Sequence, residues 1–180
     1  PPASRFPKRI ETSDSPDRGV DRGGYRDRLG QGVETVGDIF SATLNPDRKK
    51  PFEMRQVLEA LIDEDSGYLE RWEIMRDAET AIVWETRLGG FCVGMIGIES
   101  RSLSRLGEVP HDGPEAWSGG TLFPLSSKKV ARGINAFSNR VPLVILANLS
   151  GFDGSPESLR KLQLEYGAEI GRAIVNFKGP

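Results

Sequence analysis

Apolar residues are sparse up to about residue 50 and recur with regular spacing after it. Met54, Val57, Leu58, Leu61 and Ile62 keep the three-and-four spacing of a helix face, with Pro51 suited to its first position and Asp63-Glu64-Asp65 to its end. The spacing of Leu69, Trp72 and Met75 predicts a second, short helical piece. Two strand patterns follow, Thr80–Glu85 and Phe91–Glu99, joined by a hairpin turn at Arg87-Leu88-Gly89-Gly90, where glycine accepts positive φ. Residues 100–120 carry no period and predict a long loop, a length that marks a functional or partner-bound segment.

Further on, Ser126 is placed to cap a helix with Val130, Ile134 and Phe137 on one face. Pro142–Ala147 is a continuous apolar run, the pattern of a strand buried on both sides. A turn at Ser150-Gly151-Phe152-Asp153-Gly154 leads to Ser155-Pro156-Glu157, which opens a long helix with a cap, a first-position proline and an early acid. Leu159, Leu162, Tyr166, Ile170, Ala173, Ile174 and Phe177 form its expected buried stripe. Hairpin, helix, strand, helix is an α/β order, and Pro180 is expected to precede a further strand.

Residues 1–50 are rich in Pro, Arg, Asp and Gly, and with so little apolar surface to offset ordering entropy they predict a linker or partner-ordered arm, anchored by Val36, Ile39, Phe40 and Leu44. The domain proper is then 51–180. Both ends read as cuts through a longer polypeptide. Acids and bases nearly balance, 26 against 24, which gives no electrostatic case for a nucleic-acid or membrane partner. No apolar run reaches the roughly 20 residues of a membrane span. A single cysteine, Cys92, excludes an internal disulfide and suits a reducing, cytoplasmic setting.

The usual nucleophilic sets are missing. His111 is the one histidine, so neither a triad nor a histidine-based zinc site can be assembled, and no metal is expected. Cys92 sits in an apolar strand and reads as core. Glu157, Glu165 and Glu169 read as the exposed face of the last helix, and Lys128 and Lys129, adjacent on a helix, point apart so that at least one faces solvent. What remains is the strand-to-helix turn. Gly151 and Gly154 let a ligand approach bare backbone, and the N–H groups of Gly151 and Phe152, near a helix N-terminus, can stabilise charge on an oxygen. A strand-turn-helix with glycines is also a common structural connection.

Leu146-Ala147-Asn148-Leu149-Ser150-Gly151-Phe152-Asp153-Gly154-Ser155 resembles the loop in carboxyltransferase domains of biotin-dependent acyl-CoA carboxylases, in which Ala-Asn leads into Gly-Phe-x-Gly. Gly97-Ile98-Glu99-Ser100-Arg101 is similar to the family's Gly-Val-Glu-Ser/Thr-Arg hairpin end, and Phe123-Pro124-Leu125-Ser126-Ser127-Lys128 to its Phe/Trp-Pro-x-Ser helix opening. Leu164–Ile170 and Val175–Pro180 align with the helix that follows, so the likeness runs in order from about residue 51 to the end. Its wording is closest to single-chain bacterial acetyl-, propionyl- or long-chain acyl-CoA carboxylases, whose full-length form also binds ATP.

The resemblance implies a crotonase-like spiral of repeated β-β-α units, incomplete here at the C-terminus, corresponding to the start of the C half. It implies that carboxybiotin, presented by a biotin carboxyl carrier domain, gives its CO₂ to the α-carbon of an acyl-CoA. It also implies an active site shared with the N half of another protomer in a homo-oligomer. Gly151 and Phe152 match the family's first backbone oxyanion contributors, with Leu149, Ser150 and Gly154 as substrate contacts. The second contributor and the CoA grip are expected outside these residues, so the fragment alone is expected to be inactive. Ser150 stands where eukaryotic multidomain carboxylases carry an arginine, and Leu149 where they carry tryptophan; a hydroxyl in place of a charge points away from acetyl-CoA toward a longer or different acyl chain. The competing readings are a biotin-dependent decarboxylase or other crotonase-type acyl-CoA enzyme, and a docking or assembly module without catalysis.

Overall fold

The structure, a computed structural model, describes residues 7–180; Pro1–Phe6, the start of the expected arm, lie outside the described residues. Its elements in chain order are α1 (Val36–Ile39), α2 (Met54–Leu61), β1 (Leu69–Glu70), β2 (Ala81–Leu88), β3 (Phe91–Ile98), β4 (Leu103–Ser104), β5 (Ala116–Trp117), β6 (Thr121–Leu122), α3 (Pro124–Phe137), β7 (Leu143–Leu146), β8 (Gly151–Phe152), α4 (Pro156–Arg160) and α5 (Gln163–Asn176).

The β2–β3 hairpin is the centre. It is antiparallel, extended by β1 on one side and by β7, parallel to β3, on the other. Its residues alternate between two cores. Ile82, Trp84, Val93 and Met95 face α2, while Ala81, Val83, Ile96 and Ile98 face α3 and α5. The register pairs Trp84 with Met95 and Val83 with Ile96, so cross-strand partners fall in the same core. With both faces dry, the strands read as continuous apolar runs although the pair is antiparallel. Gly89 and Gly90 make the turn with φ of 60° and 81°, as a two-residue hairpin requires. Their N–H groups are held by the buried carboxylate of Asp63. The strand β2 thus runs to Leu88, past the expected turn start at Arg87.

Residues of the expected arm supply much of the first core: Tyr25, Val33, Val36 and Ile39 pack with Phe52, Met54, Val57 and Leu58. Phe40 and Leu44, named with them as anchors, are 50% and 37% exposed. Three polar devices join this layer to α2. The Glu53 N–H donates to the Tyr25 hydroxyl at 2.9 Å. The Met54 N–H donates to the fully buried carboxylate of Glu99 at 3.1 Å, an anion at a helix N-terminus. Arg18 donates to the carbonyls of Ala60 and Ile62 at the other end of the helix. The first two fix the start of α2 at Met54, three residues beyond the expected Pro51.

Several local expectations yield to tertiary context. The piece around Leu69, Trp72 and Met75 is β1 followed by turns, not a helix. Trp72 and Asp77 adopt φ of 54° and 60°, which no α-helix accommodates, and Glu70 is drawn into the sheet by Arg55 and Trp84. In α3, Pro124 takes the first turn and Ser126 stands inside the helix rather than capping it; its hydroxyl accepts from the Phe123 N–H at 2.7 Å. The strand β7 is half-buried, not buried on both sides, with Ile145 38% exposed, because among the described residues its outer edge meets only the Pro180 carbonyl, at Leu143. The expected long helix is broken at Leu162, which adopts φ 65° and ψ 41°. Buried Gln163, whose amide donates to Ser127 at 2.9 Å, sets the rotation of α5. Ile174 on α5 turns outward with this rotation, and Leu159 and Leu162 do so before the break, each about half exposed, and only Ala173 of the predicted stripe is fully buried.

Glycines on β3 let the helices approach. A Cβ on Gly94 would stand 2.3 Å from the Phe137 ring, and one on Gly97 would stand 2.7 Å from Met54 Cγ. Gly94→Ala is expected to lower the denaturation free energy by roughly 2 kcal/mol or more, since a well-packed core resents an added methyl. Urea unfolding of this variant checks it, and an unchanged midpoint would mean that α3 does not sit on β3 at this point.

Candidate active site

The strands β3 and β7 are parallel and end together at Ile98 and Leu146, so the segments leaving them, Glu99–Arg101 and Ala147–Ser155, share one end of the sheet. Carboxyl ends of neighbouring parallel strands are where α/β folds place ligands. Gly119 and Gly120 lie between the two segments. The Gly120 N–H donates to the Glu99 carbonyl at 2.7 Å, and its own carbonyl accepts from the Ser150 N–H at 2.6 Å. Beyond it, β6 pairs in parallel with β8, Thr121 against Gly151 and Leu122 against Phe152, and the Asp153 N–H donates to the Leu122 carbonyl at 3.0 Å.

The predicted donors, Gly151 and Phe152, are thus a short strand held at both flanks, not a free turn. Nothing lies within 4 Å of where a Cβ on Gly151 or Gly154 would stand, so the backbone is bare on that side. Leu149 is 40% and Phe152 48% exposed, with the Phe152 ring against Gly167 of α5, and the Ser150 side chain is exposed. Ser155 caps as expected, accepting from the Ser158 N–H at 3.3 Å, while its hydroxyl also bonds Asp153. The helix it caps, α4, has only five residues. The dipole expected from a long helix is correspondingly reduced, which leaves the peptide N–H groups themselves as the site's electrostatic resource.

The segment 100–120 is held by a buried ion cluster. Arg105 grips Glu157 in bidentate fashion, 2.7 and 2.9 Å, with both side chains all but excluded from solvent. Its guanidinium also lies 4.1 Å from the centre of the Trp117 ring, whose indole N–H donates to Glu79 at 2.6 Å. Glu157 is therefore not on an exposed face; it is the buried anion that ties this segment to α4, while Glu165 is exposed and Glu169 half-buried. The hydrogen bonds from Arg105, aided by Lys161, hold its carboxyl down to about 2 against the cost of desolvation. A bulky residue at 113 is excluded, since a Cβ there would meet the Glu157 carboxylate at 1.7 Å.

The other candidates sort as follows. His111 is exposed on the loop. Cys92 is half-buried near the start of β3, opposite Arg87, not fully in the core. Lys128 lies 5.1 Å from the Tyr166 ring centre, whereas Lys129 is buried beside Glu70 at 3.9 Å, and desolvation lowers its ammonium to about 8. No group of acids, histidine and cysteine that could hold a metal occurs among the described residues. Gly119, Gly120 and Arg105 were not singled out from sequence. A glycine pair directly before the β-branched Thr121 and the apolar Leu122-Phe123 was the available signal for the first two. Nothing local announces the partner of Arg105, which lies fifty-two residues away.

The domain is α/β, with a backbone segment at the carboxyl end of paired parallel strands that is open at Gly151 and Gly154 and has the exposed Ser150 beside it. The carboxyl transferase domain model matches residues 14–180, and the chain belongs to that family. It is similar to the acetyl-CoA carboxylase of Saccharomyces cerevisiae (strain ATCC 204508 / S288c), 36% identical over 113 residues, 57% of this chain and 5% of the relative. The mitochondrial acetyl-CoA carboxylase of the same strain is 32% identical over 158 residues, 75% of this chain and 7% of the relative. The acetyl-CoA carboxylase dmxL1 of Cryptosporiopsis sp. (strain 8999) is 29% identical over 147 residues, 73% of this chain and 6% of the relative. The chain therefore spans a small fraction of the length of these relatives, and the family match includes most of the expected arm.

Glu157→Gln is expected to destabilise the domain by about 3 kcal/mol at neutral pH, because it takes the bidentate partner from the buried Arg105 and leaves it, among the described acids, only Asp77, at 3.3 Å. Glu157 has a depressed folded-state pKa, so its contribution is complete above about 4.5 and fades as pH falls toward about 2. Denaturant melts of both proteins from pH 7 to 2 should show the gap closing over that window. A gap of the same size at both ends would assign the loss to something other than the charge.

Proposed function

We propose that this chain is part of the carboxyltransferase component of a biotin-dependent acyl-CoA carboxylase, with Gly151 and Phe152 as backbone donors to an oxygen of the reacting groups. The observation that carries the reading is the Gly151–Phe152 segment, bare on its open side and tied on both flanks to β6. Donors fixed before the reaction need no reorganisation during it, which is the condition for oxyanion-type stabilisation. The family match and the named relatives support the same activity. They also support a crotonase-like fold for the two-layered hairpin unit.

Biotin suits such a site. Its ureido ring is neutral and offers a carbonyl oxygen as acceptor, which bare peptide N–H groups satisfy without a charged side chain. When bound, it supplies a labile carboxyl group to the reaction. The work of this chain's residues is to accept and orient. Gly151 and Gly154 leave room for close approach, the N–H groups of Gly151 and Phe152 hold an oxygen, and Leu149 and Phe152 shield the position from water with exposed apolar surface. The proton acceptor and the CoA grip belong to parts beyond these residues, in keeping with a partner half supplied by another protomer and a separate carrier domain. Ser150 brings a hydroxyl and no charge to the loop, which favours an acyl chain other than acetyl.

Gly151→Val tests the reading cleanly, because nothing in the fold occupies the space of the new side chain, although a β-branched residue covers the bare backbone. In the intact carboxylase that carries this chain, the variant is expected to melt as the unmodified enzyme does and to lose biotin-dependent acyl-CoA carboxylation by roughly 100-fold. Full activity in a folded variant would make the segment a structural connection and send the search for the site elsewhere.

A further inference from the structure

We propose that Gly120 is a positioning residue for the Gly151–Phe152 donors, resting on the carboxyltransferase reading above for the reaction it serves. Gly120 has φ +66°, a left-handed conformation that a side chain resists. A Cβ there would stand 2.8 Å from Ser150 Oγ and 3.2 Å from the Asn148 carbonyl oxygen, so the segment Asn148–Ser150 lies directly against the bare α-carbon. On its other side the neighbouring Gly119 is pressed on the end of β3, where a Cβ would meet the Ser100 carbonyl oxygen at 2.1 Å. The hydrogen bonds run through the same residue: the Ser150 N–H donates to the Gly120 carbonyl, and the Gly120 N–H donates to the Glu99 carbonyl.

The two glycines therefore form a spacer one peptide thick between the ends of β3 and β7. Its thickness sets how far the Gly151 backbone stands from the rigid sheet. The left-handed turn at Gly120 aims the following residues, Thr121 and Leu122, along β8, so that the pairing with Gly151 and Phe152 is in register. Gly120 touches no reacting group in this arrangement; it acts through the backbone of its neighbours. A larger residue would push the donor segment outward by a few tenths of an ångström to an ångström. A displacement of that size suffices to misalign a donor with an oxygen while leaving the CoA grip, which the reading above places outside these residues, unaltered.

Two measurements test this. In the intact carboxylase, Gly120→Ala and Gly120→Asn, the latter chosen because asparagine tolerates positive φ, are expected to lower kcat by roughly 100-fold while KM for the acyl-CoA stays within about twofold. In the 180-residue chain the Ser150 amide should exchange its hydrogen roughly tenfold faster in each variant, while the Val83 and Ile96 amides keep their protection. An asparagine variant with normal kcat and an unchanged Ser150 amide overturns the proposal. So does acceleration of Val83 and Ile96 together with Ser150, which would mean general loosening. Should neither variant fold, the unmodified chain decides: a Ser150 amide that exchanges as fast as an exposed turn amide overturns the spacer role. An unmodified enzyme without biotin-dependent transfer, whose Ser150 amide still answers to Gly120, would remove the reaction assigned above and keep the positioning.

Discussion

The β2–β3 hairpin has no wet face, and the rest of the domain follows from that constraint. Each of its residues must be apolar, small or paired, and each helix that covers it must present a complementary surface at close range. Glycine at 94 and 97 is how β3 meets the second demand on both sides at once, admitting Phe137 from one layer and Met54 from the other. The same burial makes any polar atom at the strand ends costly unless it is satisfied. Glu99 meets part of that cost through Oε1, which accepts from the N–H groups of Met54 at the start of α2 and of Ser100 beyond β3, while Oε2 has, among the described residues, only the Arg101 guanidinium, at 3.6 Å. Folding of the first layer and shaping of the site end of the sheet are thereby one event.

Charge performs a second, separable task. Arg55 and Glu70, with the indole N–H of Trp84 and the ammonium of Lys129, bridge the two layers around the β1 edge of the sheet. Arg105 and Glu157 bind a long connection to α4. Buried pairs of this kind add little net stability over apolar replacements, yet breaking one leaves a charge stranded. Their consequence here is placement: the connection that carries Arg105 is fixed against α4, and its end at Gly120 is bonded to Ser150 of the loop after β7.

The proposed site would leave no side-chain signature in the composition, because peptide N–H groups are carried by every residue but proline. The visible trace is indirect: glycines where a ligand must come close, at 151 and 154, and where two chain segments must touch, at 119 and 120. The first pair lies in the string Ala147-Asn148-Leu149-Ser150-Gly151-Phe152-Asp153-Gly154 and Gly120 opens the string that runs into Phe123-Pro124, so the resemblance marks both segments but not the contact between them.

Periodicity and turn chemistry sufficed for the central hairpin, its two-glycine turn, α3 and the cap at Ser155, because these depend on spacing and on φ preferences that reside in neighbouring residues. The resemblance carried the family. What tertiary structure decided are the features that depend on partners distant in sequence. The apolar spacing of Leu69, Trp72 and Met75 mimics a helix, but Arg55 and Trp84 hold Glu70 in a strand. A stripe from Leu159 to Phe177 mimics one long helix, but Gln163 finds Ser127 and a left-handed Leu162 breaks the run. Glu157 looks like a solvated acid until Arg105 reaches it from fifty-two residues away. Local preference is worth tenths of a kcal/mol per residue, whereas a buried unpaired charge costs several, so where the two conflict the distant partner wins.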